Sequence, residues 1–419
     1  MSAMIAAGFQ PTTSLMDDDV YKLRMCYPAW LLQRQLGHEI PVTYRFFNRT
    51  RSIPLAQYIN IDQLREALAQ IGKLQFRPDE LAYFNRLHHF DKRDPEFIEF
   101  MTQMRLPPAY VEAHGDDLDI HASGPWPVSM WWEMKILYTI SEMFYINWMK
   151  EKGIRLEDVL AEGRKRRREA IARLRQHPGL HFSQFGARRR FSRSWEYETN
   201  EYLVNEIPDQ LIGISNMEMA RHFEAKVSGT QAHERGMVYR GVYYDKGILY
   251  ALKKDLNDWY GTWGREYSIA LPDLYGSEFF WRNFTPQQMH DWVGSRQDSG
   301  DPHREIPRAI RWYLKGGLYQ KEIREKIIIP SDGVTDLLAI DLYELFIRMI
   351  NISFGMGSFW SNNLGLPNIS MIVKAMEACG HPLVKLSDNR AKALGIPDEV
   401  DRVKKEVHYD EQFDEQPIY

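Results

Sequence analysis

Cysteine is scarce: only Cys26 and Cys379 occur in 419 residues, with neither metal-ligand spacing nor a disulfide framework between them. That excludes a disulfide scaffold and predicts a reducing, cytoplasmic setting. Long apolar runs are missing too. The most apolar window, 126–149, is interrupted by Glu133, Lys135 and Glu142, so it reads as a buried helix and not as a membrane span. The opening MSAMIAAGFQPTT has no basic n-region and too short an apolar run, and no targeting signal is expected. Charge of one sign is absent as a surplus: 53 Lys and Arg face 57 Asp and Glu, which removes any global case for nucleic acid or an anionic membrane. No internal repeat or low-complexity tract is present.

What remains is an ordinary globular composition, 44% hydrophobic, with enough chain for two or three domains or one barrel with additions. The many aromatics, 12 Trp, 22 Tyr and 20 Phe, predict large cores and a subunit interface. From Ser14 a helix is expected, capped by Ser14, Asp17, Asp18 or Asp19, with Val20, Leu23, Tyr27, Trp30 and Leu31 on its apolar face. A strand at 41–49, short helices at 62–71 and 78–86 and a strand at 118–123 complete a mixed N-terminal domain over 1–125, ended by the GPWP turn. A helical connection with an anion-holding loop fills 126–212. Its helices are expected at 128–150 and 156–176, the second carrying RKRRRE (164–169), which reads as a solvated face or an anion contact. HFSQFGARRRFS (181–192) reads as the anion-holding loop.

Beyond that point the period changes. Short β-like runs at 226–228, 267–271, 291–293, 327–329 and 352–354 each precede a polar, glycine-bearing loop and then a helical pattern. Such units predict a parallel α/β barrel over 213–369, with its chemistry in the loops at one face. A hairpin around Gly380 opens the last section, 370–419, whose strands and peripheral tail are expected to pack back on the N-terminal domain.

The loops hold the candidate chemistry. GTQAHE (229–234) sets His233, able to accept a proton or attack phosphorus, beside Glu234. Alone, the hexapeptide fits a structural or solvated histidine better; its companions in the other loops favour the reactive reading. Ser331-Asp332-Gly333 and Gly355-Met356-Gly357-Ser358 are small glycine loops on consecutive late strands, where barrels hold phosphate, though each alone reads as a turn. In SRQDSGD, Arg296 suits a phosphate or diphosphate and Asp298 or Asp301 the vicinal hydroxyls of a ribose; a local salt bridge reads the spacing equally well. Asp273 is expected to face the same cavity. Together these describe a site for a phosphorylated sugar, with cations to stabilise a departing oxyanion.

The motifs SLMDDDVYKLRM (14–25), ISEM (140–143), FGARRRFS (185–192), GISN (213–216), GTQAHE, RQDSGD (296–301), SDGVTD (331–336), FGMGS (354–358) and KLSDNRAK (385–392) resemble, in this order, the nicotinate phosphoribosyltransferase family. The resemblance spans nearly the whole chain. It implies an irregular α/β barrel of the type II phosphoribosyltransferases with an N-terminal α+β domain, α/β in class, working as a homodimer with shared active sites. It implies transfer of phosphoribosyl from phosphoribosyl diphosphate to nicotinate in NAD biosynthesis, with Mg²⁺ required. ATP is the implied co-substrate, hydrolysed through a phosphohistidine at His233 whose ring Glu234 or Asp273 would hold. By the same resemblance Tyr21, from the other subunit, and Phe185 sandwich the pyridine, and Arg188 meets its carboxylate. Ser215 stands where nicotinamide-using relatives place an acid. Arg296 and Asp298 take diphosphate and ribose, and Asp332, Gly333, Gly355 and Gly357 belong to the 5′-phosphate loops. Ile214 replaces a hydroxyl residue of the bacterial pattern, and the segment around 239–250 is an insertion rich in tyrosine. The rival readings are a nicotinamide-specific enzyme, a nucleic-acid binder using 164–168 and 188–190, and an inactive scaffold.

Overall fold

The computed structural model describes residues 11–415. Strand β1 (Pro41–Asn48) alternates as its sequence does: Val42, Tyr44 and Phe46 point inward. It pairs antiparallel with β3 (Asp117–Pro125), which pairs in turn with β2 (Ala109–His114). On its other side β1 meets β11 (Met371–Ala378), from Asn48 opposite Met371 to Val42 opposite Ala378. A tight turn at Cys379 and Gly380, both with positive φ, leads to β12 (His381–Pro382). The order β12-β11-β1-β3-β2 therefore weaves both ends of the chain into one sheet. The expected hairpin around Gly380 is there, but pairing stops at Pro382.

Two buried helices cross this sheet. Val20–Leu36 buries residues all round, Lys22 and Arg24 included, so the one-sided apolar face expected for it is too narrow. Trp132–Glu151 is the window whose charges argued against a membrane span, and each charge has a partner in the core. Glu133 pairs with Lys22 at 2.7 Å and Lys374 at 3.0 Å, Lys135 with Asp18 at 2.6 Å, and Glu142 with Arg190 at 2.9 Å. Among the described residues no helix is long and apolar enough to cross a membrane. In the helix Leu156–Leu174, Arg164 and Arg167 both clasp Glu198, at 2.6 and 2.8 Å, and Arg166 pairs with Glu162 at 2.7 Å. Arg164 and Arg167 thus tie this helix to the helix Arg193–Glu206, while Arg166 pairs within its own.

The second body is parallel throughout. β6 (Ile269–Ala270), β7 (Gly294–Gln297), β8 (Ile327–Pro330) and β9 (Asn351–Ile352) pair in sequence order. β10 (Phe354–Met356), β4 (Phe182–Gln184) and β5 (Leu211–Ile214) form the other arc. Only Ser353 separates β9 from β10. Its N–H donates to the Ile328 carbonyl and that of Phe354 to the His181 carbonyl, both at 3.1 Å, so a single extended stretch changes neighbours and joins the arcs. A bridge from Ile214 to Val227 extends the far edge, and the Gln231 amide donates to the Ile269 carbonyl at 3.0 Å across the gap. The result is an irregular, nearly closed α/β barrel.

Several expected strands move. Residues 286–291 form a helix, started by a capping box between Thr285 and Gln288, so the strand expected at 291–293 begins at Gly294 and itself carries Arg296. The run 226–228 shrinks to the bridge at Val227, and 267–271 to two residues between a 3₁₀ turn and Pro272. β4 and β5 are barrel strands that the sequence reading left as loop or unassigned. At three or four residues they are too short for a period to emerge.

Candidate active site

The strands' C-terminal ends surround a cleft of about 380 Å³. The N-terminal segment forms one wall, because it is stitched to the loop after β5: Val20 N–H donates to the Ser215 carbonyl and Met217 N–H to the Asp18 carbonyl, each at 2.8 Å. That stitching sets Asp19 and Tyr21 into the cleft of their own chain, with Phe185, Arg188 and Ser215. Tyr21 therefore needs no loan from another subunit, which corrects the expectation. Its hydroxyl donates to Glu133 Oε2 at 3.1 Å, fixing the ring. Burial alone would weaken the charge on Arg188, yet the neighbouring Glu133, Asp298 and Asp19 keep it firmly cationic.

Ser215 donates to Asp19 Oδ1 at 2.6 Å. The acid missing at 215 is thus supplied from a distant element. Burial pushes the Asp19 carboxyl up to about 7, the Ser215 bond opposing it.

His233 is the N-cap of the helix Glu234–Val242 and is buried at the cleft floor. Its Nε2 lies 2.6 Å from Asp273 Oδ1 and its Nδ1 3.6 Å from Asp298 Oδ2. Asp273 is wholly buried behind the ring, in the turn after β6, and also accepts from Ser299 at 2.7 Å with Lys385 at 3.5 Å. It holds the imidazole from behind and does not face the cavity as expected. Burial would raise Asp273, but His233 and Lys385 beside it hold the carboxyl far below the usual range. An ionised Asp273 accepts the proton on Nε2 and leaves the Nδ1 lone pair towards the cleft. Burial, only partly offset by Asp273, keeps His233 below the ordinary imidazole value and hence neutral.

Glu234 does not hold the histidine ring. Its carboxylate accepts from Lys22 at 2.6 Å, Tyr44 at 2.7 Å and Trp126 at 2.9 Å, deep in the domain junction. The reason is helical geometry: successive side chains diverge by about 100°, so a histidine facing the cleft turns its neighbour away.

Arg296, Asp298, Ser331, Asp332, Gly333 and Gly357 line the same cleft. Asp298 accepts from Ser331 Oγ at 3.0 Å; burial would raise it, and Arg296 and His233 hold it low. The buried Nε of Arg296 has no hydrogen-bond partner. Gly333 needs its positive φ of 60°. Gly355 is not among the residues that line the cleft. It sits inside β10, where an added Cβ would come within 2.5 Å of the Phe185 ring, so its bareness serves the aromatic wall. Asp301 caps the helix Pro302–Lys315 through His303 N–H and lies outside the lining.

The sequence reading assigned no role to Arg49, Lys374, Lys385 or Lys392, which also line the cleft. Lys392 pairs with Asp332 at 2.5 Å, and burial brings Lys374 down to about 8 against the pull of Glu133. Lys385 and Lys392 stand in the quoted KLSDNRAK, so a signal existed; no local period marks their direction.

An irregular barrel capped by an antiparallel sheet, with histidine, arginine and two glycine turns at one mouth, is the architecture of the type II phosphoribosyltransferases. The profile of the nicotinate phosphoribosyltransferase (NAPRTase) family matches residues 180–412, and that of its N-terminal domain residues 16–141. The chain belongs to this family. It is similar to the crystal structure of nicotinate phosphoribosyltransferase from Porphyromonas gingivalis at 26% identity and TM-score 0.82, covering 95% of this chain and 100% of that one. In fold it also matches nicotinate phosphoribosyltransferase from Vibrio cholerae, at 23% identity and TM-score 0.84, over 96% and 95% of the two chains.

Proposed function

We propose that this protein transfers the phosphoribosyl group from phosphoribosyl diphosphate to nicotinate, giving nicotinate mononucleotide and diphosphate in NAD biosynthesis, with ATP hydrolysed to ADP and phosphate. The observation that carries the reading is the single cleft that Tyr21, Phe185 and Arg188 line together with His233, Arg296 and the turns at Gly333 and Gly357. Displacement at an anomeric carbon passes through an oxocarbenium-like state that needs little covalent help. The protein's work is to hold the ribose, aim the pyridine nitrogen and stabilise the leaving diphosphate. Tyr21 and Phe185 would hold the pyridine, Arg188 its carboxylate, Arg296 the diphosphate, Asp298 the ribose hydroxyls, and the turns at Gly333 and Gly357 the 5′-phosphate.

For ATP coupling, the neutral Nδ1 of His233 would attack the γ-phosphorus. The N–P bond forms as the bond to the ADP oxygen breaks, and water later cleaves the phosphohistidine to phosphate. The added charge, next to Asp298 and Lys385, would alter the diphosphate pocket and so link hydrolysis to substrate affinity. Among the described residues no group of three or more His, Cys, Asp or Glu could hold a metal by itself. That fits an Mg²⁺ carried mainly by diphosphate oxygens, with the partly open Asp298 and Asp332 completing its shell. When bound, the ion would neutralise the departing diphosphate.

Product analysis with nicotinate, phosphoribosyl diphosphate and Mg²⁺, with and without ATP, tests this reading. Nicotinamide run alongside tests the second one, which Asp19 at the pyridine end favours. Preferential turnover of nicotinamide, or no diphosphate release, overturns the proposal. The homodimer stays part of the proposal on the strength of exposed apolar residues along 314–349, among them Leu337 and Leu345, and sedimentation at equilibrium tests it. A cytoplasmic setting rests on the two unpaired cysteines, and fractionation of cells tests it.

A further inference from the structure

A second cavity, of about 690 Å³, lies against the same loop that carries His233. Gly229 and Thr230 line both cavities, and these two residues are the wall between them. The rest of its lining comes from Arg24, the helix Pro78–His88, the helix Met217–His222, residues 224–228, Glu266 and Tyr267. Four cations, Arg24, Arg86, Arg221 and Lys226, outnumber the two carboxylates, Glu224 and Glu266. Arg221 already answers to Asp79, at 2.7 Å.

Arg24 is the unusual member, 4% exposed. Its guanidinium stacks on the Tyr267 ring at 4.1 Å and donates to the Gly229 carbonyl, while its buried Nε finds no partner. A buried donor left unmet costs about 1–3 kcal/mol, more on a charged group. Arg86 lies over the Tyr83 ring as Arg24 does over Tyr267, so the lining presents guanidinium and ammonium donors more than open rings. That chemistry selects a compact phosphate over a stacking base. The Gly229 backbone, with φ 153° and Val20 Cγ1 only 2.9 Å from where a Cβ would stand, has little room to yield without moving its neighbours.

We propose that this cavity is a second phosphate site, and that its occupant acts on loop 229–233 through Arg24 and the Gly229 carbonyl. The binding half stands alone; the effect on catalysis rests on the function proposed above. Lys226 and Arg86 are exposed and outside the cleft, which makes Lys226→Gln/Arg86→Gln the variant of choice.

The test is calorimetric titration of the full chain with inorganic phosphate, and separately with a non-hydrolysable ATP analogue, while nicotinate mononucleotide fills the cleft. Wild type should bind one phosphate per chain with Kd on the order of 1 mM, and the double variant at least tenfold more weakly. Should the nucleotide not bind, the phosphate count should still fall by one from wild type to variant, which separates this site from the cleft. Binding of the analogue alone, lost in the variant, assigns the phosphate to a nucleotide and keeps the site. No binding by either ligand, or binding unchanged in the variant, overturns it. Phosphate should also shift nicotinate affinity about fivefold, and nicotinate should shift phosphate affinity by the same factor, as linkage requires. A misfolded variant would not preserve that reciprocity with turnover intact, and phosphate binding without any shift overturns the coupling.

Discussion

At the scale of single residues, two neighbours divide chemistry from architecture. His233→Ala should abolish acid-labile labelling from γ-labelled ATP and ATP stimulation together in the folded fraction; labelling that persists would put the phosphate on another histidine. Glu234→Gln should do the reverse. Lys22 would lose one of its two carboxylates, costing on the order of 3 kcal/mol in a urea titration, while the folded fraction keeps its labelling. Asp19 allows a pH prediction. Its carboxyl is raised to about 7, so it is neutral below that value and ionised above it, where it repels the nicotinate carboxylate. The KM for nicotinate should rise as pH climbs through about 7, and Asp19→Asn should flatten that rise without moving the KM of phosphoribosyl diphosphate. The same sign holds for stability: the raised carboxyl contributes at low pH, and its contribution is lost as pH rises towards 7.

At the scale of elements, the positions of short strands decide what each side chain meets. Arg296 lies on β7 itself, opposite Ile329 of β8, because the capped helix at 286–291 takes the residues expected to be strand. Gly355 lies on β10 with the Phe185 ring over it. Gly355→Ala should push on that ring and on Ser331, whose Cβ would stand 2.9 Å from the added methyl, raising the KM of nicotinate and of phosphoribosyl diphosphate together about tenfold in steady-state kinetics. Both values unchanged would show that β10 gives way instead. The long helices were legible because their caps and apolar content extend over many residues. β4 and β5 were not, since three or four residues hold no period and their pairing partners lie far along the chain.

For the whole molecule, the sheet order makes the chain's end part of its beginning. β11 sits between β12 and β1 and brings Lys374 to Glu133. A chain stopped before Met371 should lose the cooperative thermal transition by circular dichroism that the full chain shows. An independently folding, soluble 1–369 would contradict the shared sheet.

The sequence by itself determined the family, the parallel character of the barrel and the loops that bear His233, Asp298 and Gly333, because those features are written in contiguous residues. Only the tertiary structure decided that Asp19 supplies the acid beside Ser215, that Glu234 turns inward, and that four cations (Arg49, Lys374, Lys385 and Lys392) reach the cleft. Those outcomes depend on which side of an element faces which neighbour. Packing between residues hundreds of positions apart sets that facing, and no local pattern encodes it.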